Sequence, residues 1–174
     1  MKLTTKVILM MGALSMAACT NAGKLGGGAG DGAFDPNAAG NSGVIAGSAS
    51  DPASTAYFQQ AVGDRVTFEV DQSSLTAVGR ATLDGQATWL LTNADYTAII
   101  EGHADEQGTR EYNIALGNRR ADAARSYLVS KGVPSSRMQI VSYGKERPIE
   151  ICSEEACYAK NRRAVTVLAG GLTG

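Results

Sequence analysis

Residues 101–121 read EGHADEQGTREYNIALGNRRA, and the fold turns on how this stretch is read. It follows the apolar run Ala98-Ile99-Ile100, a composition suited to a strand buried on both faces. Tyr96–Gly102 is therefore expected to be a strand. A short polar loop containing Gly108 comes next, and a helical pattern opens near Glu111 and runs to Lys131. Gly132 and Pro134 stop that helix. Strand, loop and helix start thus follow one another, with an acid, Asp105, on the loop and the pair Arg119-Arg120 on the helix. Backbone N–H groups at a helix start favour anionic ligands. Loops held by a rigid scaffold commonly carry binding groups.

The helix pattern separates the two arginines. Asn113, Leu116, Arg120, Ala124 and Tyr127 are spaced by three and four, so they share one face. Most of that face suits a core, and a guanidinium placed there needs an acceptor. Arg119 points about 100° away, toward solvent. Asp105 is the candidate partner of Arg120, with two readings open. The two residues form a salt bridge that pins loop to helix, or they bind a zwitterion. In the second case Arg120 takes its carboxylate in bidentate fashion and Asp105 its ammonium.

Outward from this stretch, Arg65–Val70 alternates and reads as a strand, with Val66, Phe68 and Val70 on one face. Asp71-Gln72-Ser73-Ser74 is a turn, and Ser74 or Thr76 caps a helix ending near Asn93. Leu83, Ala87, Leu90 and Leu91 form its apolar stripe. Trp89, the only tryptophan, reads as a packing residue. Met138–Tyr143 and Ala164–Leu168 complete the strands, with a short helix starting at Ser153-Glu154-Glu155. The order β-α-β-α-β-(short α)-β predicts an α/β sandwich, a mixed four-stranded sheet with two long helices on one face.

The first 18 residues read as a signal. Lys2 and Lys6 precede Val7–Ala18, an apolar run too short for a membrane span of roughly 20 residues. Ala17-Ala18-Cys19 resembles a bacterial lipoprotein signal, in which the cysteine becomes the lipidated N-terminus. Met16 stands where that signal usually has Leu, Val or Ile. An ordinary signal peptide with an incidental cysteine is the alternative. Residues 19–56, rich in Gly, Ala and Ser, read as a tether whose extended reach is roughly 120 Å. Residues 57–174 then form the domain. Cys152 and Cys157 read as a local disulfide, worth roughly 2 kcal/mol in the chain-entropy model, or else as free thiols.

Several function classes are disfavoured. With 16 Lys+Arg against 17 Asp+Glu, the chain lacks the basic excess of a nucleic-acid binder. The single histidine, His103, offers no partner for a metal site and reads as a strand-end structural residue. A hydrolase would have to use His103, and no G-x-S-x-G elbow supports it. No cofactor is expected.

Three segments in order, EGHADEQGTREYNIALGNRRADAARSYL, IVSYGKERP and AKNRRAVTV, resemble the OmpA-like peptidoglycan-binding domain family over about residues 64–168. The lipoprotein signal and tether extend the likeness to that family's wall-binding lipoproteins. The resemblance implies a non-enzymatic peptidoglycan binder whose site receives diaminopimelate from the peptide stem. It assigns the head group to Asp105 and Arg120. It places Val70-Asp71 in the wall, where the family usually has Phe-Asp, and puts Asn113, Leu116 and Asn161 at or near the pocket. It further implies TolB, with TolA as a second candidate, as partners in the Tol–Pal system. Thr20 after the lipid cysteine implies sorting to the outer membrane. A stator subunit of the same domain type would need a transmembrane helix, and the sequence has none.

Overall fold

The computed structural model describes residues 44–151 and 153–170. The expected signal, lipidation site Cys19, most of the tether and Cys152 lie outside the described residues. The elements are α1 (Thr55–Tyr57), a π-helical turn (Phe58–Gly63), β1 (Arg65–Thr67), α2 (Ala77–Thr92), β2 (Thr97–His103), α3 (Arg110–Ser130), a 3₁₀ turn (Ser135–Arg137), β3 (Met138–Gly144), α4 (Glu155–Asn161) and β4 (Arg163–Ala169). The sheet order is β1-β4-β2-β3. β2 is central, parallel to β3 and antiparallel to β4, and β1 is antiparallel to β4. The expected mixed four-stranded α/β architecture is the one observed.

The apolar run places β2 in the middle, with Ala98 and Ile100 buried at 2% and 0% exposure against the helices. Ile99, on the other face, is only half-buried. Both long helices lie on one side of the sheet. Gly117 of α3 meets Gly102 of β2, and Thr166 Oγ1 of β4 donates to Gln86 Oε1 of α2 at 2.7 Å. Gly102 and Thr166 share a face because Gly102 pairs with Ala164 and Ile100 with Thr166.

Local signals act largely as read. Thr76, of the two candidate caps, accepts from Gly79 N–H, and Thr109 caps α3 by accepting from Tyr112 N–H. Gly132 takes φ +101° after α3, and Val133 N–H closes back on Leu128 O at 3.1 Å.

Three expectations change. Leu91 is 48% exposed, so the α2 stripe is Leu83, Ala87 and Leu90. Val70 is 52% exposed although Val66 and Phe68 are buried. β1 ends at Thr67 because, after Phe68 N–H bonds to Arg162 O, the chain turns, with Gln72 N–H bonding back to Glu69 O. Packing also begins upstream of residue 57. Trp89 Nε1 donates to Pro52 O at 2.7 Å, Tyr96 Oη to Ala53 O at 3.1 Å, and Ser54 caps α1. Trp89 packs between Phe58 and Tyr96 in tilted ring contacts, which fixes this segment to the core.

Candidate functional site

The loop between β2 and α3 borders a cavity of about 240 Å³, lined by Val70, Asp71, Asp105, Gln107, Gly108, Tyr112, Asn113 and Leu116. Three local features shape it. Gly108 turns with φ +86°, so the loop can enter α3 directly. Asn113, buried on the α3 core face, donates from Nδ2 to Gln107 O at 2.7 Å and holds the loop to the helix. On the opposite wall Asp71 sits at φ +57°, the one non-glycine residue with positive φ among the described residues. Its carboxylate accepts the Tyr112 hydroxyl, so the turn and the first turn of α3 meet across the cavity.

Arg120 is fully buried just behind these walls. Nε donates to Gln72 O at 2.8 Å, Nη1 to His103 O at 2.8 Å and Nη2 to Glu69 O at 3.2 Å. Its guanidinium also lies 5.3 Å from the Phe68 ring centroid. These carbonyls flank Val70-Asp71 on one side and lead into Asp105 on the other. Burial pushes Arg120 down to about 10, against the upward pull of Asp105.

Of the two readings left open, the direct Asp105–Arg120 salt bridge is not what forms. Asp105 Oδ2 pairs with Arg162 Nη1 at 3.2 Å, and Gln107 N–H reaches Oδ1 at 3.3 Å. Arg162 is itself a fork: Nε donates to Phe68 O at 3.2 Å, and Nη2 to Glu155 Oε1 on α4. The physical reason is direction. Arg120 points from the core face of α3 into a ring of carbonyls left open by the 69–72 turn. Arg162, between the end of α4 and the start of β4, comes up beside the loop acid.

Among the sequence-predicted site residues, Val70, Asp71, Asp105, Asn113 and Leu116 line one cavity. Arg120 stands behind it. Asn161 does not line it: it is fully buried, donating to Glu106 Oε1 and Glu150 O and accepting from Ile149 N–H. Its role is to fasten α4 and the preceding loop. Gln107, Gly108, Tyr112 and Arg162 are additions. Tyr112 could have been found as the exposed aromatic one residue before Asn113 in the first turn of the helix.

His103 has the expected structural character. It is 1% exposed, stacks on Tyr143 at 5.6 Å, and neither ring nitrogen has a hydrogen-bond partner among the described residues. Burial, aided by Arg163 and Arg147, lowers it to about 4, although Glu101 Oε2 lies 3.5 Å from Nε2. It does not line the cavity, so a hydrolase would lack its base there. Arg119 is exposed, 5.9 Å from the Tyr112 ring centroid. Among the described residues no group of His, Cys, Asp and Glu could hold a metal ion, and no helix is long and apolar enough to cross a membrane.

This arrangement has close relatives. The chain is 55% identical over 135 residues to a peptidoglycan-associated lipoprotein of Rhizobium meliloti (strain 1021), covering 78% of this chain and 76% of that protein. It is 46% identical over 164 residues to a peptidoglycan-associated lipoprotein of Agrobacterium fabrum, covering 94% and 87%. The crystal structure of the peptidoglycan-associated lipoprotein from Burkholderia pseudomallei superposes with TM-score 0.63 at 36% identity, covering 68% of this chain and all of that one. Residues 67–162 match the OmpA family, and by these similarities the chain belongs to that family, with the peptidoglycan-associated lipoproteins among its relatives.

Proposed function

We propose that this protein is a non-enzymatic outer-membrane lipoprotein that binds the diaminopimelate-bearing peptide stem of peptidoglycan and ties the membrane to the wall. The observation that carries the reading is the charge layout of the cavity. Two carboxylates, Asp71 and Asp105, line it, while a fully buried arginine behind it is bonded to three carbonyls. A buried guanidinium held by neutral dipoles keeps its full positive charge, which favours an anionic group nearby. Acids on the wall favour an ammonium group. A small zwitterion such as the free end of diaminopimelate meets both demands, and Val70 and Leu116 offer its methylenes apolar contact. The relatives' names supply the wall as the source of that zwitterion.

Anchoring through lipid on Cys19 and a 19–56 tether fits this role, as does a Cys152–Cys157 staple close to α4. Partnership with TolB, and through it with TolA in the Tol–Pal system active at cell division, belongs to the same reading. It rests on the family resemblance. The test is co-sedimentation with purified sacculi. Wild type pellets with them and Asp105→Ala stays in the supernatant; equal pelleting of both sinks the site. A pull-down with the cognate TolB separates a Tol–Pal member, which is retained, from a wall binder without a Tol partner, which is not.

A further inference from the structure

Arg162 is the second buried arginine at the site, 3% exposed, and it touches the cavity only through Asp105. Its three donors go to three different elements: Nε to Phe68 O before the site turn, Nη1 to Asp105 Oδ2, and Nη2 to Glu155 Oε1 in the first turn of α4. A guanidinium is planar, so fixing two of its edges fixes the third. We propose that Arg162 is the positioning residue for Asp105, and that Glu155 holds the other arm of the same fork, so α4 tunes the binding site from outside the cavity. The inference rests on the diaminopimelate reading above, and it assigns Arg162 no contact with the ligand.

Three features make the fork consequential. Asp105 is short, and its Oδ1 is already approached by Gln107 N–H, so Arg162 decides which way Oδ2 faces. The Glu155 side chain is 63% exposed while that of Arg162 is only 4% exposed, so the outer arm is open to change from solvent and the inner arm is not. The other end of α4 is held independently: Asn161, its last residue, donates from Nδ2 to Oε1 of Glu106, the residue after Asp105, at 2.9 Å. Helix α4 therefore contacts both members of the Asp105-Glu106 pair, one through each of two adjacent buried side chains.

The experiment measures affinity of the full chain, in detergent, for purified sacculi. The variants are Arg162→Gln, Arg162→Lys, Glu155→Gln and the Arg162→Gln/Glu155→Gln double variant, with thermal unfolding of each alongside. Arg162→Gln is expected to weaken binding about tenfold, and Arg162→Lys to recover part of that, since an ammonium can hold Asp105 but not both acids. Glu155→Gln is expected to weaken binding about two- to threefold in the wild-type background and not at all in Arg162→Gln. That non-additivity is what a purely stabilising residue would not produce. Wild-type affinity in folded Arg162→Gln or Arg162→Lys overturns the positioning role. An undiminished Glu155→Gln effect in the double variant overturns the link to α4. Asp105→Ala is the control: if it binds like wild type, the site reading itself has failed, whereas if it alone loses binding, only the fork has.

Discussion

Two arginines, Arg120 and Arg137, are bound in the same way at opposite ends of β2. Arg120 binds the carbonyl of His103, the last residue of that strand, and Arg137 binds that of Tyr96, just before its first. Each bonds carbonyls from three residues: His103, Gln72 and Glu69 for Arg120, and Tyr96, Leu90 and Asn93 for Arg137. Each also stands beside a hollow. That near Arg137, about 140 Å³, is lined by Thr97, Ala98, Ile99, Ser136, Gln139, Ala169 and Arg137 itself, with no acid among them. The one near Arg120 has two. Arg137 is half-buried and faces the C-terminal carbonyls of α2, where the helix dipole already favours a cation. Arg120 is fully desolvated and takes carbonyls from a turn and a strand end. The same ligation thus caps a helix in one place and stores an unspent charge behind a pocket in the other. Caging an arginine is common to both hollows; burial and the acids across the hollow are what set the Arg120 end apart.

The comparison breaks most violently at Gly102. A Cβ there would lie 1.8 Å from Gly117 O, and the contact is backbone to backbone, so neither side can turn away. Gly102→Ala is expected to cost on the order of 3 kcal/mol or more and to lift α3, with Arg120, off the His103 carbonyl. Thermal unfolding measures the loss, and a near-native midpoint would contradict the close approach.

Exchanging the arginines in turn sharpens the contrast. Arg120→Ala leaves the buried His103 carbonyl and the partly buried Gln72 and Glu69 carbonyls without this donor, and is expected to destabilise by about 3 kcal/mol as well as abolish sacculus binding. Arg137→Ala, half-buried and water-accessible, should cost about 1 kcal/mol and leave binding unchanged. Equal losses of binding in both would remove the distinction between cap and site.

The strand end by Arg120 also has a pH signature. His103 is held near 4 in the fold against an ordinary value of 6.5. The unfolded chain therefore binds the proton first. This group's share of stability is complete above pH 6.5 and declines as pH falls from 6.5 toward 4, by roughly 3 kcal/mol in total. Denaturant unfolding of wild type against His103→Phe should show the excess slope in wild type over that window only.

The smallest effect is at the turn opposite α3. Asp71→Asn keeps a side chain that tolerates positive φ and can still accept from Tyr112, so stability should move by no more than about 0.5 kcal/mol. Sacculus affinity should nonetheless fall, because a carboxylate has been removed from the wall. Unchanged affinity would leave Asp105 as the sole acid of the site.

Much of this was legible in the chain itself. Spacing put Asn113, Leu116, Arg120, Ala124 and Tyr127 on one face; the first four are buried and Tyr127 is half-buried. Thr76 before α2 and Gly132 after α3 marked helix limits. The α/β order followed from alternating periodicities. Illegible were the end of β1, where the turn swings Val70 into solvent, and the exposure of Leu91, since a stripe read from spacing alone is wider than the core it meets. Tyr112 was passed over because an exposed aromatic in a first helical turn has no periodicity to mark it. Asn161 carried the family's pattern, yet its amide is spent on the 149–150 loop and on Glu106 rather than facing the cavity.

The sequence by itself determined that Arg120 is buried, that Asp105 stands at the loop before its helix, and that the two belong to one locality. These follow from short-range rules of helix period, capping and turn chemistry, which act within a few residues. Only the tertiary structure decided the partners. Asp105 is bound by Arg162, 57 positions away, and Arg120 by carbonyls up to 51 positions away. Which charges meet depends on how β4 enters the sheet beside β2, and long-range strand pairing leaves no local mark in the order of residues.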